Sequence, residues 1–280
     1  MAVINTNIAA SITANSMKTN ARAMETSMER LSTGKRINSA SDDAAGLGID
    51  TRMTSQIRGL QQAARGANDG IALLQTADGA VAEMGNMFQR MRELSVQAQS
   101  GTLHADDVTN LNAEFIALAT EIDRIATDTT FNNKAILATG TAGAIKINVG
   151  ADETDVVTFT TKVMELSNAT VYGASLDGTF TSGNTDDVED TGVIAKLDVA
   201  IKGIAAERAS YGATINRLEY AVDTLNATIL NTQAARSQIV DADYAAETTE
   251  LARTQIIAQA STAMLSQANQ QAQSVLALLK

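Results

Sequence analysis

The stretch that decides the fold is YAAETTELARTQIIAQASTAMLSQANQQAQSVLALLK, residues 244–280, read together with MKTNARAMETSMERL, residues 17–31. In the first, Tyr244, Thr248, Leu251, Gln255, Ala258, Thr262, Leu265, Asn269, Ala272, Leu276 and Leu279 recur at alternating steps of four and three. In the second, Met17, Ala21, Met24, Met28 and Leu31 do the same. That alternation averages 3.5 residues, the period that keeps one helical stripe facing a partner helix. The stripe is unusually polar, with Thr, Gln and Asn at several positions of its C-terminal seam. A seam with so few large apolar side chains cannot alone offset the entropy of ordering a helix. The expectation is that the two ends are loosely ordered in a lone subunit and become firm when copies of the chain pack together.

Working outward, Ile4, Ile8 and Ile12 lead into the Met17 stripe, which predicts one helix to about Leu31 with Gly34 as its stop. Ser41 is the expected N-cap of the next helix, with Asp42 and Asp43 in its first turn. Met53, Ile57, Leu60 and Ala64 continue it. Ile71, Leu74, Asp78, Val81, Met84, Phe88, Met91, Ser95 and Ala98 carry it on, flanked by Leu73, Ala77 and Leu94. Gly66, Gly70, Gly79 and Gly85 are weak points within it. Residues 101–107 read as a turn, and Leu111, Phe115, Leu118, Ile122 and Ile125 as a further helix. Residues 128–133 read as loop.

The period then changes to two. Ile145, Ile147 and Val149, followed by Val157, Phe159, Thr161 and Val163 across a polar turn, predict a β-hairpin over residues 144–163. Residues 166–190 are rich in Gly, Thr, Ser and Asp and read as an exposed segment. Helix resumes near Gly192. Tyr211, Ile215, Leu218, Val222, Leu225 and Ile229 form the most apolar heptad, expected to hold the core of the monomer. Residues 241–244 mark a joint before the polar heptad. The fold class is mainly α: a long coiled-coil-like helical rod formed by both chain ends, with a small β-hairpin insertion.

Composition narrows the function. The chain has 280 residues with no Pro, Cys or Trp, and aromatics are 3%. The core must be aliphatic, Met and Ala, which suits close helix packing. A net charge of −11 without a Lys/Arg cluster argues against a nucleic-acid surface and an anionic-membrane binder. No apolar run is long enough for a membrane span. The first seventeen residues carry no Lys or Arg, so a cleaved secretory signal is not expected.

Chemistry finds little footing. His104 is the single histidine, so neither a triad nor a multi-histidine zinc site can form around a second one, and the residue is assigned to a solvated turn. The Gly34–Lys35 pair lacks a P-loop frame, because Glu29 and Arg36 stand where Gly and Ser/Thr are needed. Asp152, Glu153 and Asp155, and Asp186, Asp187, Glu189 and Asp190, lack EF-hand spacing and read as solvated acidic turns. No catalytic, metal or cofactor site is expected. Gln89, Arg90, Arg92 and Glu93 form an exposed polar face that Leu94 completes as a small mixed patch.

The same residues carry a family resemblance. MAVINTNIAA (residues 1–10), ERLSTGKRINSASDDAAGLGI (29–49), IRGLQQAARGANDGIALLQTADGA (57–80) and FQRMRELSVQA (88–98) resemble the N-terminal signature of bacterial flagellins. ARSQIVDADYAAE (235–247) and ANQQAQSVLALLK (268–280) resemble the C-terminal one. The resemblance covers residues 1–140 and 192–280. It implies a short flagellin without large outer domains, a secreted structural subunit that polymerises into the extracellular flagellar filament for motility. Residues 1–42 and 240–280 would line an inner tube. Residues 43–191 and 192–239 would form the surrounding helical domain with its hairpin and short exposed loop.

On that reading the polymerisation seam comprises Met17, Met24, Met28, Leu31, Leu251, Leu265, Leu276 and Leu279. The monomer seam is Ile215, Leu218, Val222, Leu225 and Ile229. The resemblance further implies unfolded export through the flagellar type III channel. Its partners are other copies of the chain, hook-associated junction and cap proteins, and a cytosolic export chaperone at the C-terminal helix. It also implies contact of the flagellin-sensing Toll-like receptor at Arg90, Leu94 and Glu114. The alternatives are a hook–filament junction protein with the same terminal plan, an enzyme carried in residues 140–191, and a coiled-coil adhesin. The middle segment has neither His nor Cys and is too short for its own core, which disfavours the enzyme.

Overall fold

A computed structural model of the chain describes residues 7–138, 144–152, 154–164, 166 and 192–277, with the helix path alone given for 271–277. Its elements are α1 (Ile8–Thr33), α2 (Ala44–Ala98), α3 (Ala105–Asp128), β1 (Thr130–Phe131), β2 (Lys134–Ala135), β3 (Ala144–Asn148), β4 (Val156–Thr160), α4 (Val193–Val240) and α5 (Tyr244–Ala277). The mainly helical architecture with a small hairpin is as the periodicity predicts. Most of the exposed segment expected at residues 166–190, including the second acidic group, lies outside the described residues, as does Glu153.

The helix ends follow local chemistry. Asn7 caps α1 through its side chain, which accepts from the Ala10 N–H. Gly34 ends it in the left-handed conformation at φ 70°, where its N–H reaches the Arg30 carbonyl. The start of α2 differs from expectation. Asp42 is used up within the preceding turn, accepting from the N–H groups of Ser39 and then Asn38, which hold its carboxyl below the usual carboxylate range. Asp43 is the cap, accepting from the Gly46 N–H at 2.9 Å, two residues beyond the expected Ser41. The four glycines expected as weak points leave α2 continuous.

His104 does more than occupy a turn. It caps α3, accepting from the Asp106 N–H while Asp107 accepts from the His104 N–H, a reciprocal capping box. The expected loop at residues 128–133 supplies the first strand and the turn of a minimal hairpin, β1–β2, turned by Asn132 and Asn133 at φ 50° and 60°. Two successive left-handed residues are what a two-residue hairpin requires, and Asn tolerates them.

The chain divides into two compact units, Met1–Ile57 with Leu230–Lys280, and Arg58–Ile229. In the second, α2, α3 and α4 enclose a core of Leu74, Val81, Met84, Phe88, Met91, Phe115, Ile122, Leu197 and Leu218. Of the expected monomer seam, Leu218, Leu225 and Ile229 are buried, and Ile215 and Val222 partly so. The β3–β4 hairpin pairs Ile145 with Phe159 and Ile147 with Val157, and it lays this apolar face on the core. Gly70 makes the approach feasible, since a Cβ there would stand 2.0 Å from the Ile147 side chain.

One buried polar group marks where the hairpin's exit meets α4. Lys162 pairs with Glu207 at 3.2 Å, and Glu207 is almost wholly buried. Tyr211, one turn further, is 1% exposed with its hydroxyl lacking a well-aligned partner. Burial, and then the neighbouring Glu207 carboxylate, push the Tyr211 phenol above its usual range. As pH rises past about 10 the unfolded chain releases this proton while the native chain retains it. Stability is therefore complete below that pH and falls above it. Tyr211→Phe should flatten the alkaline limb of a urea-denaturation midpoint plotted against pH; an unchanged limb would contradict this account.

Candidate functional site

The site is the pair of chain ends. Within the terminal unit α1 and α5 run antiparallel, tied at three levels. The Asn7 side chain donates to the Ala268 carbonyl at 3.1 Å, Asn20 donates to the Thr254 carbonyl at 2.7 Å, and Arg30 pairs with Glu247 at 2.9 Å. At the joint the backbone itself closes. Arg36 N–H donates to the Val240 carbonyl at 2.6 Å and Ala242 N–H to the Gly34 carbonyl at 3.0 Å, around a Lys35–Asp241 bridge. Arg36 also reaches the Ile239 carbonyl, and Arg236 pairs with Asp50. Ile37 and Val240 are buried beside this closure.

The faces that meet are one residue out of step with the expected stripe. On α5 the shielded positions include Glu247, Leu251, Thr254, Ala258, Ser261, Leu265 and Ala268, with Glu250 beside them. Tyr244, Thr248, Gln255, Thr262 and Asn269 stand exposed instead. On α1 the shielded positions include Ala10, Thr13, Asn20, Met24, Ser27 and Leu31, whereas Ala21 and Met28 face solvent. Both alternations average 3.5 and share the anchors Met24, Leu31, Leu251, Ala258 and Leu265. The structure takes the smaller or hydrogen-bonding neighbour at each disputed step, Ser27 over Met28 and Thr254 over Gln255, so the backbones can approach. Ser27, one turn from the Arg30–Glu247 tie, and Thr254, at the Asn20 tie, are the buried residues of this pairing.

Large apolar groups remain outside. Ile8, Ile12 and Met28 on α1 are more than half exposed, as are Ile256 and Met264 on α5; Met17 is 37% exposed. Leu276 lies in α5 with only its backbone described, and Leu279 lies outside the described residues. Among the described residues no group of His, Cys, Asp and Glu is placed to hold a metal ion, and no helix is long and apolar enough to cross a membrane.

The patch around Arg90 is altered by the fold. Arg90 and Glu114 are about half exposed and pair at 3.0 Å, with Glu93 as a second partner of Arg90. Leu94 is fully buried among core side chains and does not complete the surface patch, because its step along α2 places it on the inward face. Ser95 is buried too, donating to the Met91 carbonyl.

With this geometry in view, comparison with known proteins is decisive. Residues 4–142 match the bacterial flagellin N-terminal helical region and residues 194–279 match the C-terminal helical region. The chain belongs to the bacterial flagellin family. It is 41% identical to a flagellin of Halalkalibacterium halodurans over 99% of this chain and 100% of that one. It is equally identical to a flagellin of Bacillus subtilis over 99% of each. A structure described as that of a flagellar hook-associated protein from Vibrio parahaemolyticus shares the fold, with a TM-score of 0.55 over 71% of this chain and all of that one, at 12% identity. As a flagellin, the chain is a structural subunit of the extracellular flagellar filament and not an enzyme.

The balance of the two units sets their expected order in solution. The central unit buries many large apolar side chains, while the terminal unit relies on Ser, Thr, Asn and half-buried Met and Leu. Local stability tracks that burial. Amide exchange on dilute monomer should therefore show strong protection over residues 74–98 and 115–126 and weak protection over residues 8–33 and 244–277. Equal protection of the two sets would contradict it.

Proposed function

We propose that the paired ends are the polymerisation surface, with Met17 and Met28 on its outward face, Met24, Leu31, Leu251 and Leu265 anchoring the helix pair that presents it, and Leu276 and Leu279 as its further members. The supporting observation is the one-residue offset. The small side chains of α1 and α5 face each other, and Ile8, Ile12, Met28, Ile256 and Met264 face outward. Each end thus has an inner face used within the subunit and an outer apolar face for a neighbouring copy. Repetition of one heterologous contact that does not close on itself generates an open filament. On this reading residues 1–42 and 240–280 line the inner tube, and residues 43–191 and 192–239 surround it.

The reading extends to the route and partners. The terminal helices bury little apolar surface and unravel at small cost, which suits passage unfolded through the flagellar type III channel. The outward Ile256, Ile257 and Met264 suit an export chaperone in the cytosol and, after export, junction and cap proteins. Deleting residues 240–280 should leave a folded, helical, soluble monomer, by circular dichroism and gel filtration, that cannot extend filament seeds. Long filaments of the truncated chain in negative stain would refute the assignment.

Receptor sensing, on this proposal, rests on Arg90 and Glu114 without Leu94 as a contact. Arg90→Ala with Glu114→Ala should lower the response of Toll-like-receptor reporter cells by about tenfold or more, as for the loss of a charged anchor. An undiminished response from the folded double variant would remove these residues from the contact.

A further inference from the structure

The methionines are divided between the two units by exposure. Met17, Met28 and Met264 are 37%, 57% and 62% exposed, and all three lie in the terminal unit. Met84, Met91 and Met164, in the central unit, are fully buried, and Met87 is partly shielded. Met24 and Met53 are intermediate. The cross-chain ties place the three exposed thioethers at separate levels of the α1–α5 pair. Met28 lies near the Arg30–Glu247 tie, and Met17 and Met264 both lie between the Asn7–Ala268 and Asn20–Thr254 ties, Met17 three residues from Asn20 and Met264 four residues from Ala268.

Resting on the polymerisation reading above, we infer that Met17, Met28 and Met264 form a reversible oxidation site that gates assembly, its co-reactant being a peroxide. The Sδ lone pair attacks one peroxide oxygen; the S–O bond forms as the O–O bond breaks, and a proton moves to the departing oxygen to release water. Sulfur gives up two electrons and the peroxide gains them. The product sulfoxide is polar and a strong acceptor, on a face that must be dehydrated when a second copy covers it. The three sites are spread along the helix pair, one near the Arg30–Glu247 tie and two between the other ties. The core methionines have no contact with solvent, so the central unit keeps its fold while its ends lose their partner. Once assembled, the same thioethers are covered, so oxidation acts on subunits before they join.

The test uses the full chain and hydrogen peroxide. Site-resolved mass spectrometry on monomer should show sulfoxide at Met17, Met28 and Met264 well before Met84, Met91 and Met164. Exposed and core sites oxidising at one rate would overturn the inference. Oxidised, still helical monomer should elongate unoxidised seeds about tenfold more slowly, the factor expected for an unpaired polar group at a contact. Methionine sulfoxide reductase with a dithiol, which takes the oxygen away as water, should restore the rate.

The triple variant M17L/M28L/M264L keeps side-chain volume and lacks the thioethers, so peroxide should leave its elongation rate equal to that of the same variant before treatment, whatever that rate is. A variant slowed as much as the parent, or an oxidised parent that is not slowed, would overturn the inference. Peroxide added to finished filaments should leave the three sites reduced; free oxidation there would also overturn it. Failure of untreated chain to elongate would instead refute the polymerisation reading, while the order of oxidation on monomer still judges the site itself.

Discussion

The backbone closure between residues 34–36 and 240–242 is the constraint on which the other contacts of the terminal unit depend. Gly34 turns the chain out of α1 at positive φ, and the next residues pair in antiparallel fashion with the chain leaving α4. Some two hundred residues separate the partners. The entropy of closing so long a loop grows only logarithmically with its length, so the cost is not prohibitive. Once it is met, α1 and α5 leave the joint side by side, and contacts such as Asn20 with Thr254 become local. A residue with Cβ at position 34 would be strained, since that φ is one L side chains rarely adopt.

The two units use different physics. The central one is held by large apolar side chains and by ion pairs such as Arg208–Asp78 and Arg92–Asp198. Those pairs are largely exposed, and exposed pairs contribute about 0–1 kcal/mol each. Register between α2 and α4 is therefore set by the core and only assisted by charge. In the terminal unit the apolar contribution is small, and specificity comes from polar groups reaching backbone carbonyls across the helix pair. Among the described residues, Arg30–Glu247 is the ion pair that joins those two helices, and it sits close to the joint.

The fold was legible wherever periodicity was strong. The helices, the hairpin with its alternation through Ile147, Val157 and Phe159, and the apolar heptad of α4 all follow from spacing alone. Finer features were not. Asp43 displaced Ser41 as a cap because three consecutive residues had capping side chains, and only the fold shows which carboxylate the turn consumes. The Asn132–Asn133 turn carried a usable signal, two left-handed-tolerant residues between Phe131 and Lys134, but its strands are too short for alternation to register. Leu94 read both as a flank of the apolar stripe and as the completion of a polar patch, and its place beside Leu74, Val81, Met84 and Met91 takes it inward.

The one-residue offset of the seams is the most instructive discrepancy. A 3.5 average is satisfied by steps of four then three or of three then four, and the shared anchors cannot distinguish them. Size can. Where a helix pair lacks bulky apolar residues, its contact energy comes from close approach, and that favours Ser27, Ser261 and Ala268 over Met28, Thr262 and Asn269. The larger groups are thereby turned outward. A helix that placed them inward would make a firmer monomer and leave a purely polar exterior. In the proposed filament the chosen register does the reverse: it gives up stability in the lone subunit and keeps apolar area for contact with other copies, where burying it favours association.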